Sequence, residues 1–390
     1  RGLSGIPISG ADVGGFAPGE APKNPAKPFY GDGNPKTRNH NPMVYDRLVL
    51  GPEDIDIGAI TSPELMTRWI QASSLQPWVR NHYDAMKQYQ EIYHYTGQAT
   101  PDEQQTFGSI MAAFVRFRVR WHHLLYDAMY QNTQTGAPIN KAMCLWDEDI
   151  EVFSEENRDI LATQFFIDST VLVAPILTKS TTDYAGSYSA DTDVYFPQGG
   201  SGRNIHWYRY NVIADTIDFE HPIDSGQRLK ISAKIDDLPL FIREGAIIPE
   251  RHAIESLDTP FKNIQSLDKF NQPLVLSFYP LNHESQGKYE LYWDDGGISR
   301  TAESNGNFST IKIIQKTLQS TMTGTILEVS LSPDKYNYPL HDEIYFRIRL
   351  GGRSTKKVVA GNKVLTEGAS TLNGIFTHNG EGIYVDSTTN

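Results

Sequence analysis

Two stretches of this 390-residue chain are the most informative about its fold: SGIPISGADVGGF (residues 4–16) and QPWVRNHYD (residues 76–84). In each, a short apolar run ends at a cluster of polar residues, which is typical of a buried strand that ends at a loop. Asp12 lies beside a glycine-rich turn in the first stretch, and Arg80 and His82 follow the apolar run of the second. Both stretches therefore predict strand ends that carry polar side chains.

A helix signal separates these two strand ends. Ser62 suits the N-cap, Pro63 suits the first helical position, and apolar residues recur at helical spacing behind them. Strand, helix, strand is the unit of a parallel α/β sheet, in which the loops after the strands meet at one edge. We therefore expect Asp12, Arg80 and His82 to line one mouth. The alternative is a buried aspartate and a buried histidine that only satisfy backbone groups.

The composition narrows the classes of function. The formal net charge is −12 and the basic residues form no long run, so nucleic acid is not an expected partner. Cys144 is the only cysteine, which excludes an internal disulfide and a Cys-based zinc site. No 18-residue apolar stretch predicts a membrane span, and no cofactor or metal site is predicted. Aromatic residues make up 11 % of the chain, and such rings cover sugar faces well, which weakly favours a carbohydrate ligand.

The remaining segments differ in their patterns. Residues 17–61 are rich in proline and asparagine without periodicity, which predicts a long loop over the mouth. Residues 107–130 carry apolar residues at helical spacing and predict one long helix. Its arginines, Arg116, Arg118 and Arg120, are expected to pair with carboxylates or to cover apolar neighbours.

Beyond residue 136, short β-rich runs separated by turn residues predict two β-sandwiches. The last run of the first series is predicted at residues 246–248, and the polar segment 250–272 marks the boundary. The predicted domains are therefore residues 1–136, 137–252 and 253–390.

Two acidic pairs invite a catalytic interpretation. Glycosidic carboxylates face each other across a pocket, whereas the acids of WDED (residues 146–149) are sequence neighbours that point to opposite faces. We interpret WDED as surface or subdomain packing, and Asp294 with Asp295 as a hairpin turn.

The ordered series SGIPISGADVGGF, ELMTRWIQASSLQPWVRNH, FRVRWHHLLYDAMY with GAPINKA, TVLVAPIL, VYFPQG and LFIREGAIIP resembles glycoside hydrolase family 31 over nearly the whole chain. RNHYD, YDAMYQN, REGAIIP and WDDGG with NGNFS are most similar to the branch of α-1,4-glucan lyase and bacterial α-glucosyltransferases, including the cycloalternan-forming enzyme. The resemblance implies an α/β plus all-β chain: the last strands and helices of a (β/α)8 barrel (strands seven and eight, with the long loop 17–61), followed by two C-terminal β-sandwich domains, one proximal and one distal.

The resemblance also implies which parts of the site this chain holds. The nucleophile and the general acid of the family lie upstream of the matched region, so no catalytic residue is expected here. Asp12 matches the aspartate of the glucosyl subsite, Phe16 its aromatic wall, His82 the histidine that hydrogen-bonds sugar hydroxyls, and Arg80 the arginine that orients this corner. The expected partners are an α-glucan or oligosaccharide and the missing N-terminal fragment of the same enzyme, and the expected location is extracellular.

Three functions follow as hypotheses. The first is the C-terminal portion of a retaining α-glucoside-processing enzyme that catalyses glucosyl transfer or hydrolysis, with transfer favoured if the long loop builds an acceptor subsite and excludes water. The second is an α-1,4-glucan lyase. The third is a noncatalytic carbohydrate-binding protein made of the β-domains.

Overall fold

The structure is a computed structural model that describes residues 6–15, 45–50, 55–61, 63–82, 91–97, 100, 105–146, 149–182, 188–251, 274–279, 281, 286–294, 305–321, 324–337, 344–349, 358–360 and 363–365. The predictions for Phe16, for Ser62 and for residues 17–44 of the long loop lie outside these residues.

The described residues form mostly β-structure with a few helices. The helices are α1 Pro63–Ser73, α2 Phe107–Arg120 and α3 His122–Thr135, with short 3-10 helices at Ile92–Tyr95, Met143–Leu145, Ile150–Phe153, Glu155–Asn157, Asp159–Ala162 and Gly200–Gly202. The strands are β1 Tyr45–Leu50, β2 Ile55–Thr61, β3 Asn140–Ala142, β4 Phe165–Ile167, β5 Val171–Val173, β6 Thr181–Thr182, β7 Tyr188–Phe196, β8 His206–Asn211, β9 Thr216–Ile217, β10 Ile223–Asp224, β11 Gln227–Lys234, β12 Leu240–Arg243, β13 Ile247–Arg251, β14 Leu274–Phe278, β15 Gln286–Asp294, β16 Phe308–Thr321, β17 Gly324–Tyr336, β18 Ile344–Ile348, β19 Val358–Ala360 and β20 Lys363–Leu365.

The helical prediction needs one correction. α1 begins at Pro63, as predicted. The single helix predicted for residues 107–130 is wrong, because the chain breaks at Trp121, which ends α2 and starts α3 with φ −96° and ψ 13°. The Trp121 ring is fully buried, 4.7 Å from the Phe117 ring and 5.3 Å from the Tyr210 ring between centroids. The bend therefore places a large indole in the core that one continuous helix would carry elsewhere on its surface.

The predicted loop 17–61 needs a second correction. Its last part forms an antiparallel hairpin of β1 and β2, with a register shift between Arg47 and Val49. The segments LVL and IDIGAI combine residues that favour extended backbone, and this local preference was hidden by the many prolines elsewhere in residues 17–61.

The first pair of β-sheets follows α3. One sheet has seven strands in the order β10-β8-β12-β5-β4-β3, with β9 paired to β8, and the other has three in the order β11-β7-β6. The two sheets share one buried apolar cluster, so they pack face to face. Its members from both sheets include Phe166, Leu172, Trp207 and Phe241 on one side and Val194, Phe196 and Ile231 on the other.

The second pair consists of two three-stranded sheets in the orders β13-β14-β18 and β15-β16-β17. β14 and β18 run parallel, whereas β13 and β14 are antiparallel. The predicted strand at 246–248 corresponds to β13, and it belongs to this second pair rather than to the first series, because Gly245 at φ 74° turns the chain out of β12. The chain thus changes from the first pair of sheets to the second before Ile247, a few residues before the predicted boundary at 252. The predicted bounds of the whole domains stay predictions.

The two acidic pairs have structural contacts. Asp149 is buried and accepts hydrogen bonds from the Tyr195 hydroxyl (2.7 Å) and the Gln198 N–H (2.8 Å), in line with a packing role. Asp294 is also buried and accepts from the hydroxyls of Tyr126 (2.6 Å) and Tyr292 (3.0 Å). Asp294 is the last residue of β15, whose antiparallel neighbour β16 begins at Phe308, and its contact with Tyr126 joins α3 to β15. Residues 147, 148 and 295 lie outside the described residues, so the hairpin-turn interpretation stays a prediction.

Candidate functional site

The segments that contain Asp12 and Arg80 lie side by side. Asp12 and Arg80 form a parallel β-bridge, and the Val13 N–H donates to the Arg80 carbonyl at 2.9 Å. The Gly15 N–H donates to the Asp12 carbonyl at 2.9 Å, so the chain turns directly behind the aspartate. The Val13 side chain is fully buried. The backbone therefore directs the side chains of Asp12 and Arg80 to the same edge.

The two side chains form a forked ion pair at this edge. The Arg80 Nε lies 2.5 Å from Asp12 Oδ1, and Nη2 lies 3.3 Å from Oδ2. The Asp12 side chain is 19 % exposed and that of Arg80 is 48 % exposed, so both remain accessible from solvent. A forked guanidinium–carboxylate pair fixes the plane of both groups. The alternative of an aspartate that only satisfies backbone groups does not describe Asp12.

His82 lies exposed, two residues beyond Arg80. The hydrogen bond from Arg80 is the main cause that lowers the pKa of Asp12. Burial opposes it, and the charges of Arg80 and His82 each lower this pKa by a smaller amount. Asp12 is therefore ionised at neutral pH. An ionised carboxylate accepts hydrogen bonds from hydroxyl groups but does not supply a proton, so Asp12 suits recognition rather than general-acid catalysis.

Asn81, which follows Arg80, makes a second contact that the sequence pattern did not predict. The Asn81 Nδ2 donates to Glu91 Oε2 at 3.2 Å, which ties this segment to the 3-10 helix Ile92–Tyr95. Tyr95 of that helix is fully buried and anchors it. Asn81 and Glu91 are ten residues apart without a regular pattern between them, so no periodicity pointed to this contact.

Gly10 shows how closely the segments that contain Asp12 and Arg80 approach each other. A Cβ at this position would lie 2.1 Å from the Trp78 carbonyl oxygen, which is backbone and cannot move aside cheaply. We expect Gly10→Ala to lower the free energy of unfolding by about 1–3 kcal/mol, because the added methyl group separates the two segments. Urea denaturation checks this value. Gly97→Ala is the control, because a Cβ there would meet nothing within 4 Å, and equal midpoints for the two variants would contradict the predicted clash.

The described residues offer neither a metal site nor a membrane-spanning helix. Within the described residues, no group of three or more His, Cys, Asp or Glu side chains is placed to hold a metal ion. None of the described helices is long and apolar enough to cross a membrane. Phe16, the predicted aromatic wall, lies outside the described residues.

Two family models match the chain. Residues 1–128 match the TIM-barrel domain of glycosyl hydrolases family 31, and residues 136–248 match the C-terminal domain of the same family. Together they include Asp12, Arg80, His82 and the first pair of β-sheets.

Individual relatives and solved structures agree with these matches. The chain is 26 % identical over 295 residues to alpha-glucosidase 2 of Bacillus thermoamyloliquefaciens (76 % of this chain, 27 % of that protein) and 25 % identical over 288 residues to lysosomal alpha-glucosidase of Mus musculus (69 % and 26 %). It thus spans about a quarter of the length of these curated relatives.

Among solved structures, the alpha-1,4-glucan lyase of Gracilariopsis lemaneiformis is 27 % identical with a TM-score of 0.70, covering 100 % of this chain and 33 % of that one. The Flavobacterium johnsoniae GH31 dextranase is 20 % identical with a TM-score of 0.61, covering 84 % and 35 %, and shows likeness of fold alone.

Proposed function

The chain belongs to glycosyl hydrolase family 31, and from this premise we propose that it is the C-terminal portion of a retaining α-glucoside-processing enzyme. In this proposal, residues 6–82 include the last two strands of a (β/α)8 barrel, and Asp12, Arg80 and His82 form one wall of the pocket for a glucosyl unit. The observation that carries the proposal is the solvent-accessible, forked Asp12–Arg80 pair at an isolated parallel β-bridge between two segments of the chain, within the region that matches the family's barrel domain.

The proposed chemistry divides the work between this wall and residues upstream of the chain. One upstream carboxylate attacks the anomeric carbon while a second protonates the leaving oxygen, through an oxocarbenium-like transition state. The ionised Asp12 accepts hydrogen bonds from sugar hydroxyls, and His82 makes a further one. Hydrogen bonds that strengthen at the transition state raise turnover more than they raise ground-state affinity.

We further propose that the enzyme acts on α-glucans or oligosaccharides by glucosyl transfer or hydrolysis. The α-glucosidase names of the sequence relatives support this substrate class. A lyase reaction is the second candidate, supported by the alpha-1,4-glucan lyase structure that covers the whole chain at a TM-score of 0.70. A noncatalytic carbohydrate-binding protein is the third.

Product analysis distinguishes these outcomes. The full-length enzyme that contains this chain is incubated with maltooligosaccharides, and the products are separated and identified. We expect glucose from hydrolysis, or longer or cyclic oligosaccharides from transfer, whereas anhydrofructose would establish a lyase. Binding of maltooligosaccharides without turnover, together with autonomous folding of the 390-residue chain, would contradict the enzyme proposal and support the noncatalytic one.

A further inference from the structure

The segment between α1 and Arg80 accepts hydrogen bonds from side chains of other elements. α1 ends at Ser73, and the backbone carbonyls of the next four residues all accept hydrogen bonds from side chains. Three of these carbonyls accept from the Arg118 guanidinium and one from the Asn140 amide: Ser74 (3.1 Å), Gln76 (2.5 Å) and Pro77 (3.3 Å) from Arg118, and Leu75 (3.1 Å) from Asn140.

Arg118 is well suited to this role. All three hydrogen bonds that the structure gives its guanidinium end at backbone carbonyls of the connection. Burial lowers the pKa of Arg118, but an arginine remains protonated at neutral pH. Because the Arg118 guanidinium donates to all three carbonyls, removing it would leave three carbonyl groups without this donor.

The connection leads directly into the candidate site. Pro77 precedes Arg80 by three residues, a span of about 10 Å in extended chain. Over this span the Trp78 carbonyl contacts Gly10, and the Arg80 carbonyl accepts from the Val13 N–H. A displacement of residues 74–77 therefore reaches Arg80, and through it the ion pair with Asp12.

The helix that carries Arg118 is itself fixed on its other side. Arg120 lies two residues further along α2, about 200° around the helix. Its Nη2 donates to the Tyr210 hydroxyl at 2.5 Å, and its Nη1 lies 3.3 Å from Asp215 Oδ2. Its Nε lies 3.8 Å from Glu250 Oε2. α2 thus lies between the site connection and side chains from both pairs of β-sheets.

From this arrangement we propose that Arg118 is a positioning residue for the Asp12–Arg80 wall. It touches no reacting group. It holds residues 74–77 at a fixed distance from α2, whose own position is set by the contacts of Arg120 with the β-sheets. The part of the inference that concerns sugar turnover rests on the proposed function, whereas the part that concerns the position of Arg80 does not.

Amide hydrogen exchange tests the position directly. In the full-length enzyme we expect Arg118→Met to speed exchange of the Val13 amide about tenfold or more, because its acceptor is the Arg80 carbonyl. The Ala174 amide, which donates to the Pro239 carbonyl at 2.9 Å in the first pair of sheets, is the internal reference and should not change. Arg116→Met, on the exposed face of the same helix, is the matched control.

Kinetics supply the second readout. We expect Arg118→Met to lower kcat/KM for maltooligosaccharides about tenfold, Arg118→Lys to recover part of the loss, and Arg116→Met to behave as wild type. If Arg118→Met does not fold, Arg118→Lys decides, since an ammonium replaces only part of the fork. Val13 exchange equal to wild type in a folded Arg118 variant would overturn the inference. Absence of α-glucoside activity in the wild-type enzyme would instead overturn the proposed function, and the exchange result would still decide on Arg118.

Discussion

Asp215→Ala is expected to lower the free energy of unfolding by about 3–5 kcal/mol, because it removes the nearer of two carboxylates that three arginines share, one of them buried and two partly buried. Arg349 Nη2 lies 2.7 Å from Asp215 Oδ1, and Arg347 Nη1 lies 2.8 Å from Oδ2. Arg120 contributes the third contact, at 3.3 Å from Oδ2, and the Tyr210 hydroxyl donates to Oδ1 at 2.5 Å. Without the Asp215 carboxylate, the buried Glu250 carboxylate, 3.8–4.0 Å from the same three guanidinium groups, is left to balance three positive charges.

The same cluster gives the prediction a pH dependence. Burial alone would raise the pKa of Asp215, but the charges of Arg120, Arg349 and Arg347 outweigh it and hold this pKa well below its usual range. The unfolded chain, with an aspartate pKa of about 3.9, therefore binds more protons than the folded chain in the acid range. The stabilising contribution is fully present at neutral pH and is lost progressively as the pH falls below about 4–5.

Urea denaturation at pH 7 and at pH 4 measures both effects. Asp215 has a φ of 54°, a conformation that asparagine tolerates, so Asp215→Asn isolates the charge from backbone strain. Asp191→Ala is the control, since Asp191 is exposed on β7. We expect this control to change stability by less than about 0.5 kcal/mol. A loss below about 1 kcal/mol for both Asp215 variants at pH 7 would show that the arginines find other compensation.

His82→Ala is expected to lower kcat for maltooligosaccharides on the order of 10²-fold in the full-length enzyme, because it removes a hydrogen bond that strengthens at the transition state. Steady-state kinetics with separate values for kcat and KM measure it. Asp12 should stay ionised in this variant, since the hydrogen bond from Arg80 is the main cause of its low pKa. The acid side of the pH profile is therefore expected to keep its shape.

The control for this variant is another exposed histidine. The His221 side chain is 80 % exposed and pairs with Asp218 in a turn of the first pair of sheets, so His221→Ala should leave kcat unchanged. An unchanged kcat for His82→Ala would remove His82 from the glucosyl pocket. A loss of the same size in both variants would point to a general effect of histidine removal.

The sequence predicted the contact between Asp12 and Arg80 better than it predicted the helices and strands around it. Asp12 and Arg80 were placed together by local signals alone: an apolar run before each, and a helix start at Pro63 between them. The break at Trp121 could not be foreseen, because apolar residues continue at helical spacing on both sides of it. The buried Trp121 ring lies against the Tyr210 ring, almost ninety residues away in the chain, and such a contact leaves no local pattern.

The cluster of Asp215 with Arg120, Arg347 and Arg349 could not be predicted from the sequence for the same physical reason. Asp215 lies in a short loop, and its partners Arg347 and Arg349 lie on and directly after β18, without a shared motif. Similarly, Arg118 was expected to have a structural role, but its acceptors are backbone carbonyls, which carry no signature in the sequence. Contacts between distant segments depend on how sheets and helices pack, which local pattern does not encode.

The cluster of Asp215 with Arg120, Arg347 and Arg349 also has a consequence for biosynthesis. Arg349 follows Asp215 by 134 residues and donates both to its carboxylate and to its carbonyl. Translation proceeds at about 5–20 residues per second, so the earlier sheets emerge from the ribosome several seconds before this arginine does. During that interval Asp215 can contact Arg120 and Tyr210 but not Arg347 or Arg349, so the cluster is completed only after β18 has been synthesised.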